Sequence, residues 1–357
     1  MMENKFSDHY SSTFRGAYSV KKGLTHKEIE EIANDEHLNV IVFDTLNKSE
    51  FEILEKNIFS KKPKVLLSKT TSLLPEPLDL DFLRYLPSLK RLRICDATFL
   101  INFDNVELMN GIEDLSFYKF EPKLLDILKT MPPNIKSLSI ETNLSKNYNI
   151  DYIARFNNLE YLYIEGSCKG VEEIGQLNNL QKLTLRSISL PNINFLKNLR
   201  KLWSVDIKLG GIKDFSILEE LPNIKYLELW LIKGLKDISF ISKMMGLQNI
   251  HIESLLNIDE LPSLDKLINL RRVCLMNLNG LKNLNVLKTI PSLQDFYFTQ
   301  IKKLQPTDLI PVLENPTVKN FYVYFPSDKK DKEFNALAAK YGKIIVNTNF
   351  PDFIYEK

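Results

Sequence analysis

Glu228, His251 and Cys274 stand at a constant spacing of 23 residues. A carboxylate, an imidazole and a thiol in that order are the parts of a cysteine hydrolase, in which a base activates the thiol and a third group orients the base. If 23 residues is a structural period, the three share one outward column on three adjacent strands. Two observations speak against catalysis. One and two periods earlier the column holds Asp206 and Thr184, so its chemistry changes freely along the chain. An open sheet also lacks convergent oxyanion donors and a pocket that excludes water. No enzymatic activity is expected.

Other chemistry is sparser still. The four histidines, His9, His26, His37 and His251, are scattered, and Cys95, Cys168 and Cys274 are odd in number and far apart. Neither a metal site nor a disulfide framework follows from such spacing. No cofactor is expected, and 12 glycines in 357 residues leave no Gly-rich phosphate loop. Lys+Arg (47) and Asp+Glu (45) nearly cancel, giving a formal net charge of +2. Arg91, Arg93, Lys182, Arg186 and Arg272 alternate with acids, so nucleic acid is not an expected partner. The run from Ser327 to Phe334, SDKKDKEF, reads as a solvated helix start. The first residues carry no apolar run of signal-peptide length, and no stretch approaches a membrane span. With three unpaired thiols, the expected setting is cytoplasmic and reducing, with no membrane contact.

What would hold such a column in place is legible in the stretch LKDISFISKMMGLQNIHI, Leu235 to Ile252. Its apolar residues recur every third position, at Ile238, Ile241, Met244, Leu247 and Ile250, and then after two, at Ile252. The same six positions are apolar 23 residues upstream and again 23 and 46 residues downstream. Pairs spaced by two recur at Leu92/Ile94, Leu115/Phe117, Leu138/Ile140, Leu162/Ile164, Leu183/Leu185 and Val205/Ile207, and last at Phe321/Val323. That makes eleven copies over residues 82–324. Each pair reads as a short strand with alternate side chains inward. Each three-step run reads as a tight helical return. One copy cannot bury enough apolar surface to fold alone, so the copies must stack.

The pattern resembles leucine-rich repeats, in particular the short bacterial, internalin-like type. LKDISFI (Leu235 to Ile241) and IKDFSIL (Ile212 to Leu218) follow its return motif, with Phe240 and Ile217 where that type has Pro; LDLDFL (Leu78 to Leu83) is similar. The family places Asn five residues after the first strand leucine. Here Asn143 obeys, while Ile188, Ile232, Leu255, Leu278 and Ile301 fill the other places, so apolar packing is expected in those turns. The resemblance implies an α/β solenoid with a parallel concave sheet, a helical or irregular convex side and small caps at both ends. Residues 1–77 read as an N-terminal α/β cap or degenerate repeats, 78–326 as the repeat array and 327–357 as a C-terminal helix-strand cap. Thr25 and Glu28 form a capping box for a first helix, and Gly342 stops a last one.

Residues flanking each inward pair face out. The outward set is rich in Tyr and mixed charge: Tyr161, Tyr163, Glu165, Lys182, Arg186, Tyr226, Glu228, Trp230, His251, Tyr297 and Tyr322. Aromatic and Arg side chains dominate protein-binding hot spots. The expected function is therefore a non-enzymatic, monomeric module that grips another protein on the concave face, as an inhibitor, immunity or regulatory protein. Internalins are secreted and anchored, and no such signal is seen here, which weakens a host-adhesion reading. The alternatives are an enzyme-associated repeat protein, ligase-recruiting or cysteine hydrolase-like, and a self-associating scaffold.

Overall fold

A computed structural model describes residues 10–70, 76–142, 147–343, 345–346 and 351–356. The chain divides into two units, Met1–Asn179 and Leu180–Lys357. Asn143 and part of the boundary loop expected near Ser68 to Pro77 lie outside the described residues.

The period of three has a simple cause. Most return segments of the second unit are 3-10 turns, among them Asn194–Asn198, Ser216–Glu220, Ser239–Lys243 and Asn285–Thr289. A 3-10 helix has three residues per turn, so side chains at i and i+3 fall on one face. Ile238, Ile241 and Met244 are all buried for that reason. Each turn opens on a side-chain cap two residues ahead. Asp214 and Asp237 accept from the backbone N–H of Ser216 and Ser239 at 2.8 Å, and Asn192 and Asn283 do the same for Asn194 and Asn285 at 3.1 Å. This Asx turn supplies a donor group with the partner the short helix cannot provide. The same bonds hold the carboxyl groups of Asp214 and Asp237 below their ordinary range.

The second unit's strands are Lys182–Arg186, Ser204–Lys208, Tyr226–Trp230, Asn249–Glu253, Arg272–Met276, Asp295–Thr299 and Asn320–Tyr324. They pair in parallel, in chain order. Leu227, Ile250, Val273 and Phe296 stand opposite one another in one inward file and are at most 1% exposed. The residue after a strand takes a left-handed backbone in coil after coil: Ser187, Leu209, Leu231, Ser254, Asn277 and Gln300 have φ of 51–58°. Ile188, Ile232, Leu255, Leu278 and Ile301 follow, and all are buried, so aliphatic packing does fill those turns. Asn223 and Asn269 donate to carbonyls one coil back, Arg200 at 2.7 Å and Met245 at 3.0 Å. Helix Asp328–Lys340 closes the unit by burying Phe334 against Phe325, and Ile345 adds a single parallel bridge to Phe321.

In the first unit, strands Ala17–Val20, Val40–Phe43, Leu66–Lys69, Arg91–Cys95, Asp114–Tyr118, Ser137–Glu141 and Tyr161–Glu165 pair in parallel. Tyr10–Phe14 adds an antiparallel edge on Ala17–Val20. The early returns are true helices. His26–Ala33 opens on the Thr25/Glu28 capping box expected from the sequence, and Lys48–Leu54 on a second box formed by Asn47 and Glu50. Later returns shorten to 3-10 turns such as Asp81–Tyr85 and Asp151–Arg155.

Candidate functional site

Strand register sorts the outward face of the second unit into three rows. The middle row is Thr184, Asp206, Glu228, His251, Cys274, Tyr297 and Tyr322. Upstream of it run Lys182, Ser204, Tyr226, Asn249, Arg272, Asp295 and Asn320. Downstream run Arg186, Lys208, Trp230, Glu253, Met276, Thr299 and Tyr324. Each unit has the leucine-rich repeat fold. Pairing of identical positions at every coil is what that repeat requires.

At the centre of the face is a cluster of charge. The Lys208 ammonium lies 2.9 Å from Asp206 and 3.1 Å from Glu228. Glu228 also accepts a 2.6 Å bond from the Tyr226 hydroxyl. His251 lies 3.9 Å from Glu228 and 3.5 Å from Glu253. Burial, and then the neighbouring Glu228, push the Asp206 carboxyl up to about 6, and burial raises Glu253 as well. Burial lowers His251, which therefore stays neutral at pH 7. Three acids, Asp206, Glu228 and Glu253, gather around the one ammonium of Lys208, so acidic side chains predominate at the centre of the face. Trp230 flanks it, with the Arg186 guanidinium 5.3 Å and the Lys208 ammonium 5.9 Å from its ring. Such contacts fix the indole orientation.

The column of Glu228, His251 and Cys274 is assembled as the 23-residue spacing implies. The thiol, however, is 5% exposed, and burial pushes it up to about 12. Almost none is thiolate at neutral pH, so it is a poor nucleophile. Among the described residues, Glu228, His251 and Glu253 are the one group whose ligand atoms converge as a metal site requires. Of these, Glu228 already has a counter-charge in Lys208 at 3.1 Å.

Tyr297 stacks on Tyr322 at 6.5 Å and leans on Tyr324 at 6.2 Å, forming an aromatic patch on the last strands. The expected site residues are not equally accessible. Lys182 is exposed; Arg186, Tyr226, Trp230, His251 and Tyr297 are half-buried; Glu228 and Tyr322, though outward in register, are buried at 8% and 4%. In the first unit Tyr161, Tyr163 and Glu165 are half-buried on their strand, Tyr161 opposite Ser137 and Tyr163 opposite Ser139.

The C-terminal residues Pro351 to Glu356, which the sequence placed in a closing helix-strand cap with no part in the site, lie against the upstream row. Tyr355 sits 4.9 Å from Trp203 and 6.3 Å from Tyr226, and its hydroxyl takes a 3.2 Å bond from Asn249. Phe353 lies 4.8 Å from the Arg271 guanidinium and 4.9 Å from that of Arg272. Arg272 is 3% exposed and also grips Asp295 at 2.8 Å. The available signal was the alternation Phe353-x-Tyr355, the period of an extended segment with one buried side.

No protein-family model matches the chain, and no curated protein matches it. Solved structures do. An internalin from Listeria monocytogenes is 16% identical, with 94% of this chain and 87% of that one covered and a TM-score of 0.48. A leucine-rich repeat protein of Leptospira interrogans is 17% identical over 90% and 92%, with a TM-score of 0.45. A chain of the mouse RP105/MD-1 complex is 15% identical over 88% and 64%, with a TM-score of 0.49. Among the described residues no helix is long and apolar enough to cross a membrane.

Proposed function

We propose that the outward sheet face of the second unit is a non-enzymatic protein-binding surface. One observation carries the reading: Tyr226, Trp230 and Tyr297 are held half-buried around an acidic centre on a face whose opposite side is an aliphatic core. Rigid aromatics give large contact area at small entropic cost. The carboxylates of Asp206, Glu228 and Glu253 suit an Arg or Lys from the partner and disfavour a phosphate backbone. Such charges set specificity and on-rate more than affinity. The role is that of an inhibitor, immunity or regulatory protein in a bacterial cytoplasm, acting as a monomer. The three free cysteines, all buried or half-buried, fit a reducing setting.

The domain reading follows the same logic. Residues 1–77 act as degenerate repeats that open with the hairpin of Tyr10–Phe14 and Ala17–Val20, since the later strands run parallel with Arg91–Cys95 while their returns are helical. Residues 78–326 are the array, and 327–357 the closing segment.

The test is a differential pull-down from native extract, with wild-type chain and a Trp230→Ala plus Tyr297→Ala variant as baits. Loss of a discrete protein from the variant supports the reading. Equal recovery by both baits counts against this face.

A further inference from the structure

The tail is bound in the manner of a ligand. Ile354 is 81% exposed while Phe353 and Tyr355 on either side are half-buried, so the segment is extended with one face down. Its contacts are of two kinds. The first reads only peptide backbone. Arg272 donates to the Pro351 carbonyl at 2.9 Å, Arg271 to that of Ile354 at 2.8 Å and Lys225 to that of Glu356 at 2.8 Å. Gln248 both donates to the Glu356 carbonyl at 3.1 Å and accepts from the Glu356 N–H at 2.9 Å. Any extended peptide could satisfy these groups.

The second kind selects side chains. Phe353 lies against the paired guanidinium groups of Arg271 and Arg272. Tyr355 enters the space beside Trp203 and Tyr226. The Glu356 carboxylate meets Arg271 at 3.0 Å. Four adjacent coils thus present donors, cations and aromatic rings in one line along the strand starts. The groups read an aromatic residue, any residue, an aromatic residue and an acid.

We infer that this line is a groove for an extended aromatic–x–aromatic–acidic segment of a partner protein, and that Pro351–Glu356 fills it in cis until the partner's segment displaces it. The inference rests on the protein-binding reading of the same face and names the chemistry of the partner. A tethered tail competes at an effective concentration in the millimolar range. A free peptide of similar intrinsic affinity therefore meets a groove that is already mostly occupied.

The probe is a fluorescein-labelled peptide of the chain's own residues Pro351–Lys357, titrated by anisotropy against full-length protein. Three chains are compared: wild type, Phe353→Ala plus Tyr355→Ala, and that double variant with Arg271→Ala added. The double variant, with its tail disabled, is expected to bind about tenfold more tightly than wild type, and Arg271→Ala to reverse at least that gain. Circular dichroism confirms that each chain is folded, and the substituted tail residues lie outside the core. Equal binding to all three chains, or binding to none, overturns the inference. So does a wild-type dimer that the double variant dissolves, because the tail would then belong to a second copy. The titration contains no cellular partner, so its outcome is independent of the pull-down: a peptide-competent groove with unchanged capture by Trp230→Ala plus Tyr297→Ala refutes only the broader reading.

Discussion

Asp206→Asn should stabilise the second unit, and by an amount that depends on pH. The Asp206 side chain is 15% exposed, and one of its oxygens, Oδ1, is buried without a hydrogen-bond partner. Burial and then Glu228 lift its pKa from 3.8 to about 6, against the pull of Lys208. The folded state therefore holds this proton more tightly than the unfolded chain. Stability from this group is fully present below about pH 3.8, falls as pH rises to about 6, and is lost above that. The shift of roughly two units corresponds to about 3 kcal/mol. Asn carries no such charge and can still accept from Lys208, which keeps Glu228 as its ionic partner at 3.1 Å. The expected gain over wild type is about 1 kcal/mol near pH 4.5 and about 3 kcal/mol near pH 7.5. Urea unfolding followed by tryptophan fluorescence reads the right half of the chain, because both tryptophans, Trp203 and Trp230, belong to it. A variant no more stable than wild type at neutral pH, or a difference flat with pH, would refute the electrostatic argument.

Further outcomes follow from the same structure. Ile250→Ala, in the middle of the inward file, should cost about 2–5 kcal/mol by leaving a cavity between Leu227 and Val273, measured by the same urea midpoint; a loss below about 1 kcal/mol would mean the file is loosely packed. Asp237→Ala removes the cap on one 3-10 turn and should cost about 1 kcal/mol, while Lys236→Ala next to it should leave the midpoint unchanged. Cys274 should resist a thiol reagent at pH 8 in the folded protein and react once urea unfolds it, since burial holds its pKa near 12; stoichiometric labelling of the native thiol would reopen the case for a nucleophile. Tyr355→Ala should change the fluorescence of the folded protein through the lost contact at Trp203, and an unchanged spectrum would place the tail elsewhere in solution.

The inward file was readable from sequence because its rule is local: a step of three for a 3-10 turn, a step of two for a strand, repeated with a spacing near 23. Leu227, Ile250, Val273 and Phe296 obey that rule residue by residue. The turn caps Asp214 and Asp237 sit inside the return motif, two residues ahead of the turns they start, but only the structure assigns them that role. Exposure was harder to read. Glu228 and Tyr322 point out in register, yet neighbouring strands stand about 4.8 Å apart, and side chains on them close in, Lys208 and His251 on Glu228 and Tyr297 on Tyr322. Their burial is a property of more than one strand at once. Beyond the alternation of Phe353 and Tyr355, the docking of the tail was not readable, because Arg272, Arg271, Gln248 and Lys225 lie 79 to 131 residues from the contacts they make. No periodicity links a closing segment to the coil it crosses.

The central claim, that the outward sheet face is where another protein docks, is tested most directly by site-specific photo-crosslinking in native extract. A benzophenone amino acid at Tyr297 samples the face, and the same group at Ile268, an exposed side chain away from the strands, samples the rest of the surface. A discrete adduct from position 297 and none from position 268 is the expected result. An adduct formed from 268 and absent at 297 would contradict the account.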